Sequence, residues 1–151
     1  AVKQLAQRLH GKIPLIWASL GVTEAAGMRW ATQLNENSKL IAHLNIFSEL
    51  NHNEMVAVGA LSRTEHNFAL VILRDDGDNE RVKKRIEVTK SLVAAQLGGS
   101  VDVASQGSGR LARTLSLILY GDFLSVYLAL IKRIDPTEVD VIEKLKKELQ
   151  R

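Results

Sequence analysis

Two short polar segments contain residue types that could move protons. Asn-Glu-Asn at 35–37 places Glu36 near the end of a predicted helix, and Asn-His-Asn-Glu at 51–54 places His52 where a loop meets a helix. Carboxylate and imidazole groups are common general acids and bases. Each residue also has an ordinary interpretation: Glu36 is solvated at the unfavourable negative end of a helix dipole, and His52 is exposed beside a capping asparagine. Spacing alone leaves both interpretations open.

Composition argues against several other kinds of chemistry. The 151-residue chain has no cysteine, which excludes disulfides and thiolate metal sites and fits a reducing cytosol. His10, His43 and His66 are dispersed without metal-ligand spacing, so no metal is predicted. The 20 basic and 17 acidic residues leave a net charge of only +3, spread along the chain, so no nucleic-acid partner is predicted.

The hydropathy pattern predicts neither a membrane span nor a signal peptide. No apolar run approaches the roughly 20 residues that cross a bilayer, and the first residues, AVKQLAQRLHGK, lack the apolar stretch of a secretory signal. A cytoplasmic protein without a membrane partner is therefore expected.

One glycine-rich segment resembles a dinucleotide fingerprint only in a degenerate form. Gly107-x-Gly109-x-x-Ala112 follows the last predicted strand rather than the first strand of a βαβ unit. No acidic residue closes a second strand at the expected distance, about 20 residues on. A tight turn before a helix is the better interpretation, and no nucleotide cofactor is predicted.

Apolar runs and helix-forming segments alternate along the chain. Strands are predicted at 13–19, 40–47, 67–73 and 101–105, and helices at 24–37, 53–61, 80–97, 110–134 and 136–149. Alternation of this kind is typical of a parallel sheet covered by helices on both faces. We predict one α/β domain, a three-layer α-β-α sandwich with a four- or five-stranded, mainly parallel sheet. Residues 1–12 are expected to form a helix tail or linker, and the long helix from Arg110 should pack against the sheet or a dimer interface.

Three segments found in order carry a family resemblance. They are RWATQLNENSK, ELNHNE and GDFLSVYLALIKRIDPTEVDVIEKLKKEL. Together they resemble the C-terminal sugar-isomerase (SIS) domain of the bifunctional phosphoglucose/phosphomannose isomerases, across about residues 13–149. The resemblance implies an SIS fold and the conversion of glucose 6-phosphate and mannose 6-phosphate to fructose 6-phosphate through a cis-enediol, with no cofactor and no metal.

The resemblance also assigns roles to four residues. Glu36 is the base that carries a proton between C1 and C2, and His52 takes part in ring opening from the neighbouring subunit of a homodimer. Lys144 lies near the ring oxygen, and Thr137 contacts C2. If a final helix begins at Pro136, Thr137 and Lys144 are two turns apart on one helical face. The expected cleft for Glu36, Thr137 and Lys144 lies at the carboxyl ends of the strands, where parallel sheets usually bind ligands.

Members of the resembled family have two SIS domains, and this chain matches only the second. The first holds the Ser/Thr-rich loop that binds the sugar phosphate, so an N-terminal SIS domain is expected as a partner. Two alternatives of other classes remain open: a non-catalytic sugar-phosphate sensor and a purely structural dimerisation domain. Retention of Glu36, His52 and Lys144 together argues against the sensor.

Overall fold

The sheet has four strands, and every neighbouring pair is parallel. The computed structural model describes residues 1–62 and 67–150. The strands are β1 (Ile13–Ser19), β2 (His43–Phe47), β3 (Phe68–Arg74) and β4 (Ser100–Ala104), in the order β2-β1-β3-β4. The predicted α/β class and parallel sheet are confirmed. His66, considered above as a metal ligand, lies outside the described residues.

Helices cover both faces of the sheet. They are α1 (Val2–Leu9), α2 (Val22–Ser38), α3 (Glu54–Ala60), α4 (Glu80–Val93), α5 (Arg110–Lys132) and α6 (Asp140–Glu148). Buried residues of α1, α2 and α5 share one core cluster with β1, β3 and β4. Buried residues of α4 share a second cluster with the other faces of β1 and β3. The layers of the predicted sandwich are therefore present.

The central strands are apolar because both of their faces are covered. Ile16 and Trp17 are neighbours on β1 but belong to opposite core clusters. Val71 and Ile72 on β3 show the same division. Successive side chains of a strand point to opposite faces, so a strand buried on both sides needs a continuous apolar run rather than an alternating one.

Close contact between α2 and α5 fixes the helical layer that bears Glu36. The Trp30 indole nitrogen donates to the Leu117 carbonyl at 2.7 Å, and its ring stacks on Tyr120 with centroids 5.6 Å apart. A Cβ at Gly121 would approach Trp30 to 2.3 Å. Glycine is therefore required where the indole lies against the α5 backbone.

The sequence pattern predicted no apolar segment of membrane-spanning length, but α5 is such a segment. Arg110–Lys132 is long and apolar enough to cross a membrane by length and composition alone. Its inner face carries Leu117, Leu124 and Leu128, which are buried in the same core cluster as Val71. Packing within the domain therefore explains part of the apolar character of α5, and the expected contact with the sheet core is confirmed.

The final helix begins later than predicted. Helix α6 begins at Asp140 rather than Pro136 and has no buried residue. Before it, the Asp135 carboxylate accepts hydrogen bonds from the Thr137 backbone N–H at 2.8 Å and hydroxyl at 2.6 Å. This side-chain-supported turn competes with helix formation, which explains why the Pro136 signal was misleading.

Candidate active site

Glu36 lies exposed between two asparagines that are fixed to the domain. Asn35 accepts a hydrogen bond from the Ala42 backbone N–H at 3.3 Å. Asn37 donates to the Ser125 hydroxyl of α5 at 2.8 Å. No side-chain partner of Glu36 is found among the described residues. The asparagines thus hold the end of α2, while the carboxylate between them is left available.

The Glu36 side chain lines a groove between the end of α2 and the start of α6. The groove has a volume of about 530 Å³, and residues 138–142 form its other wall. Glu138 and Asp140 add two carboxylates, and Lys39 is the one basic residue that lines it. A groove with three acidic residues and one lysine suits proton transfer better than the binding of a phosphate dianion, because like charges repel.

The groove lies at the amino ends of the strands, not at the carboxyl ends as expected. Helix α2 starts after the carboxyl end of β1 and returns to the start of β2, and these two strands are parallel. Its last turn, which holds Glu36, is therefore at the opposite edge of the sheet. Helix α5 likewise runs from the end of β4 back to this edge, and brings residues 133–139 to it.

Two lysines that sequence reasoning missed hold the groove together. Lys39 ends α2 with a left-handed backbone (φ 47°), and its ammonium donates to the carbonyls of Asp135 and Pro136 at 3.2 Å each. Lys132 donates to the Ser38 and Lys39 carbonyls at 2.6 and 2.9 Å. The two cations also neutralise the negative end of the α2 dipole, on which Glu36 lies.

The structure separates the two residues predicted to share a helical face. Thr137 lies in the turn before α6, whereas Lys144 lies within α6. The prediction from their seven-residue spacing is wrong, because no continuous helix joins them. Both are exposed, and neither lines the groove, although residues 138–142 between them do.

The turn before α6 is stabilised by a carboxylate. Hydrogen bonds from Thr137 lower the pKa of Asp135 below its ordinary 3.8, with a smaller contribution from the nearby charge of Lys39. Thr137 uses its hydroxyl hydrogen in this contact, so its oxygen remains an acceptor for a ligand hydroxyl.

The residues that flank His52, like those that flank Glu36, make hydrogen bonds within the domain. Asn51 donates to Thr89 of α4 at 2.8 Å, and Asn53 caps α3. The half-buried Glu54 carboxylate accepts from the Trp17 indole at 3.0 Å. His52 itself is exposed, and no side-chain partner is found for it in the part of the chain that the structure describes. The structure does not bring it into the Glu36 groove.

The loops at the carboxyl ends of the strands contain carboxylates with local partners. Buried Asp75 accepts from Arg113 at 2.8 Å and from Ser105. Asp78 accepts from Ser19 at 2.7 Å. The charge of Asp75 is therefore balanced by Arg113, whereas Asp78 has a hydroxyl partner.

The glycine-rich segment serves as a turn, as predicted. Gly107 has a φ of 112°, and α5 begins at Arg110 directly after the turn. The left-handed backbone at Gly107 is readily adopted only by glycine.

Comparison with known proteins identifies the domain. The profile of a family described as "Bacterial phospho-glucose isomerase C-terminal SIS domain" matches residues 1–149. A bifunctional phosphoglucose/phosphomannose isomerase of Caldicellulosiruptor bescii is 42% identical over 97% of this chain and 43% of its own length. One of Aquifex aeolicus is 34% identical over 99% of this chain and 46% of its own length. The chain thus spans about half the length of these relatives.

Solved structures show the same fold at lower identity. A glucose-6-phosphate isomerase like protein of Thermus thermophilus superimposes with a TM-score of 0.73 at 21% identity, over 91% of this chain and 45% of its own. A sugar-phosphate isomerase structure from Listeria monocytogenes gives 0.67 at 14% identity, over 93% of this chain and 81% of its own. With the sequence match over residues 1–149, these findings establish that the chain belongs to the family of bacterial phosphoglucose isomerase C-terminal SIS domains.

Proposed function

We propose that this chain is the catalytic C-terminal half of an enzyme that isomerises glucose 6-phosphate and mannose 6-phosphate to fructose 6-phosphate. The names of its relatives support this substrate class. The observation that carries the proposal is the arrangement of side chains that the Glu36 and His52 segments share. In both, asparagines bind the domain and leave one exposed acid–base group without a partner among the described residues.

The reaction needs one group that moves a proton between neighbouring carbons. After ring opening, the Glu36 carboxylate removes the C2 proton. The electrons form the C1–C2 double bond, and the C1 carbonyl oxygen becomes the oxyanion of a cis-enediolate. The O2 hydroxyl proton then passes to O1, Glu36 returns its proton to C1, and the C2 oxygen becomes the ketone. Because the groove admits a ligand beside Glu36, its carboxylate can lie within reach of both carbons.

Ring opening requires a separate acid and base. His52 and Lys144 take the O1 hydroxyl proton and deliver one to the ring oxygen, while Thr137 contacts the C2 hydroxyl. His52 is contributed by the second subunit of a homodimer, which fits its exposure away from the groove. Thr137 directly precedes and Lys144 follows residues 138–142, which form one wall of the groove.

The phosphate is held by an N-terminal SIS domain, which corresponds to the part of the relatives that this chain does not span. The excess of carboxylates over cations in the Glu36 groove supports this division of labour. The enzyme is expected to act in the cytoplasm, where sugar phosphates are metabolised.

Removal of the Glu36 carboxylate tests the proposal in the two-domain enzyme. Glu36→Gln should lower kcat by about 10²- to 10⁴-fold or more, because general-base catalysis is lost, while affinity for fructose 6-phosphate changes little. Glu138→Gln removes a carboxylate from the same groove and should retain activity within a few fold. Equal losses in both variants would show that groove charge, rather than a specific base, matters. Full activity of Glu36→Gln would contradict the role of Glu36 as the base.

A further inference from the structure

A basic groove lies on the opposite face of the sheet from Glu36. It is formed between the Asn51 turn with α3 on one side and α4 on the other, and has a volume of about 390 Å³. Arg81, Lys84 and Arg85 line it, and none of its lining residues is acidic. This basic groove shares no lining residue with the Glu36 groove, and neither Asp75 nor Asp78 lines it.

These three cations differ from the other basic residues nearby, which have carboxylate partners. Lys83 pairs with Glu80 at 2.9 Å, Lys90 pairs with Asp102 at 2.8 Å, and Arg74 pairs with Glu87. Within the described residues no ion pair is found for the groove cations. Like charges three or four positions apart destabilise a helix, and Arg81 has such neighbours in Lys84 and Arg85.

The floor of the groove is organised by hydrogen bonds. Asn51 donates to the buried Thr89 hydroxyl at 2.8 Å. Arg85 donates to the other atom of the same amide, the Asn51 oxygen, at 3.4 Å. This hydrogen bond connects the exposed Arg85 to the Asn51 side of the groove.

The remaining wall is apolar. Met55 of α3 and Val88 and Leu92 of α4 complete the lining, and Val88 and Leu92 are 49% and 58% exposed. A ligand with both a dianionic group and an apolar part would satisfy the cations and cover these side chains. An inorganic anion would satisfy only the cations.

We propose that this groove binds a small organic phosphate, with the phosphate between Arg81, Lys84 and Arg85 and the organic part on Met55, Val88 and Leu92. Guanidinium groups suit this role because their planar donors bind phosphate oxygens in pairs. Since Asn51 adjoins His52, occupancy also changes the environment of the His52 turn. Binding in this groove does not require the isomerase activity proposed above.

Titration of the ¹⁵N-labelled chain with phenyl phosphate, followed by NMR at constant ionic strength, tests the proposal. Saturable shifts should concentrate at Asn51, Arg81, Arg85 and Thr89. Inorganic phosphate should shift the same signals but bind at least several-fold more weakly, because it leaves the apolar wall uncovered.

Two double variants, each of which removes two positive charges, distinguish a specific site from general electrostatic attraction. Arg81→Gln with Arg85→Gln should weaken phenyl phosphate binding about tenfold or more. Lys146→Gln with Lys147→Gln removes the same charge from exposed α6 and should leave it within twofold. Spectra of the free variants establish that both are folded. Equal weakening in the two variants, shifts scattered over all basic surfaces, or equal affinity for inorganic phosphate would overturn the proposal.

Discussion

At the scale of single residues, Asp135 controls the turn that precedes α6. Its folded pKa lies below the ordinary 3.8 because Thr137 donates two hydrogen bonds to the carboxylate. A depressed carboxyl pKa stabilises the fold above the unfolded value, and that contribution is lost as the pH falls through the folded pKa. The Thr137 amide signal in NMR should therefore change below pH 3.8. Asp135→Asn should abolish this step, whereas Glu138→Gln should preserve it.

Thr137 is also the residue at which we expect substrate discrimination. In the two-domain enzyme, Thr137→Gln should lower kcat/KM for mannose 6-phosphate about tenfold more than for glucose 6-phosphate, because the longer side chain competes with one C2 epimer. Thr137→Ser keeps the hydroxyl and the small size, so it should spare both substrates. Equal losses on both sugars in Thr137→Gln would mean that Thr137 does not contact C2.

The NEN and LNHNE segments could be recognised from the sequence, but the hydrogen bonds that fix their flanking residues could not. Glu36 and His52 were identified by motif, whereas the bonds that isolate them join distant positions, such as Asn37 to Ser125, 88 residues apart. Lys39 connects the end of α2 to Asp135, which lies 96 residues later in the sequence. Contacts of this separation depend on the final packing of α2 and α5, which no local pattern encodes.

At the scale of elements, the α2–α5 contact depends on the absence of a side chain at Gly121. Gly121→Ala should lower the free energy of unfolding by about 1–3 kcal/mol, because its Cβ would overlap the Trp30 indole. In Gly59→Ala the new Cβ meets nothing closer than 4.0 Å. That variant should be stabilised by about 0.5–1 kcal/mol through helix propensity. Urea unfolding of both variants measures the difference, and equal effects would show that the indole can move aside.

Strands were easier to predict than the boundaries that matter for the site. The apolar runs of β1 and β3 follow from burial on both faces, and the structure confirms them. The start of the last helix was wrong because Pro136 fits a first helical turn, but the Asp135 side chain stabilises a different turn there. The position of Glu36 at the amino edge follows from the direction of α2, which becomes clear only once β1 and β2 are known to be adjacent and parallel.

At the scale of the whole molecule, α5 leaves an apolar stripe uncovered. Leu111, Leu115, Leu119, Phe123 and Leu130 are all more than half exposed. Large exposed apolar patches usually mark interaction surfaces. The proposed second subunit and N-terminal domain would both need such a surface. The stripe therefore supports an assembly larger than this chain, in agreement with relatives about twice its length.

The measurement that tests the central claim most directly is fructose 6-phosphate turnover by the chain alone and by the chain joined to the N-terminal half of the Caldicellulosiruptor bescii relative. The isolated domain has Glu36 and its own two core clusters. If the phosphate is held by an N-terminal domain as proposed, the isolated chain is without substrate positioning, which contributes many kcal/mol to catalysis. We predict a folded isolated chain that isomerises the substrate barely above background, and a joined protein at least about 100-fold faster. Equal turnover by the isolated chain, or a folded joined protein without activity, would contradict the assignment of this domain as a catalytic half.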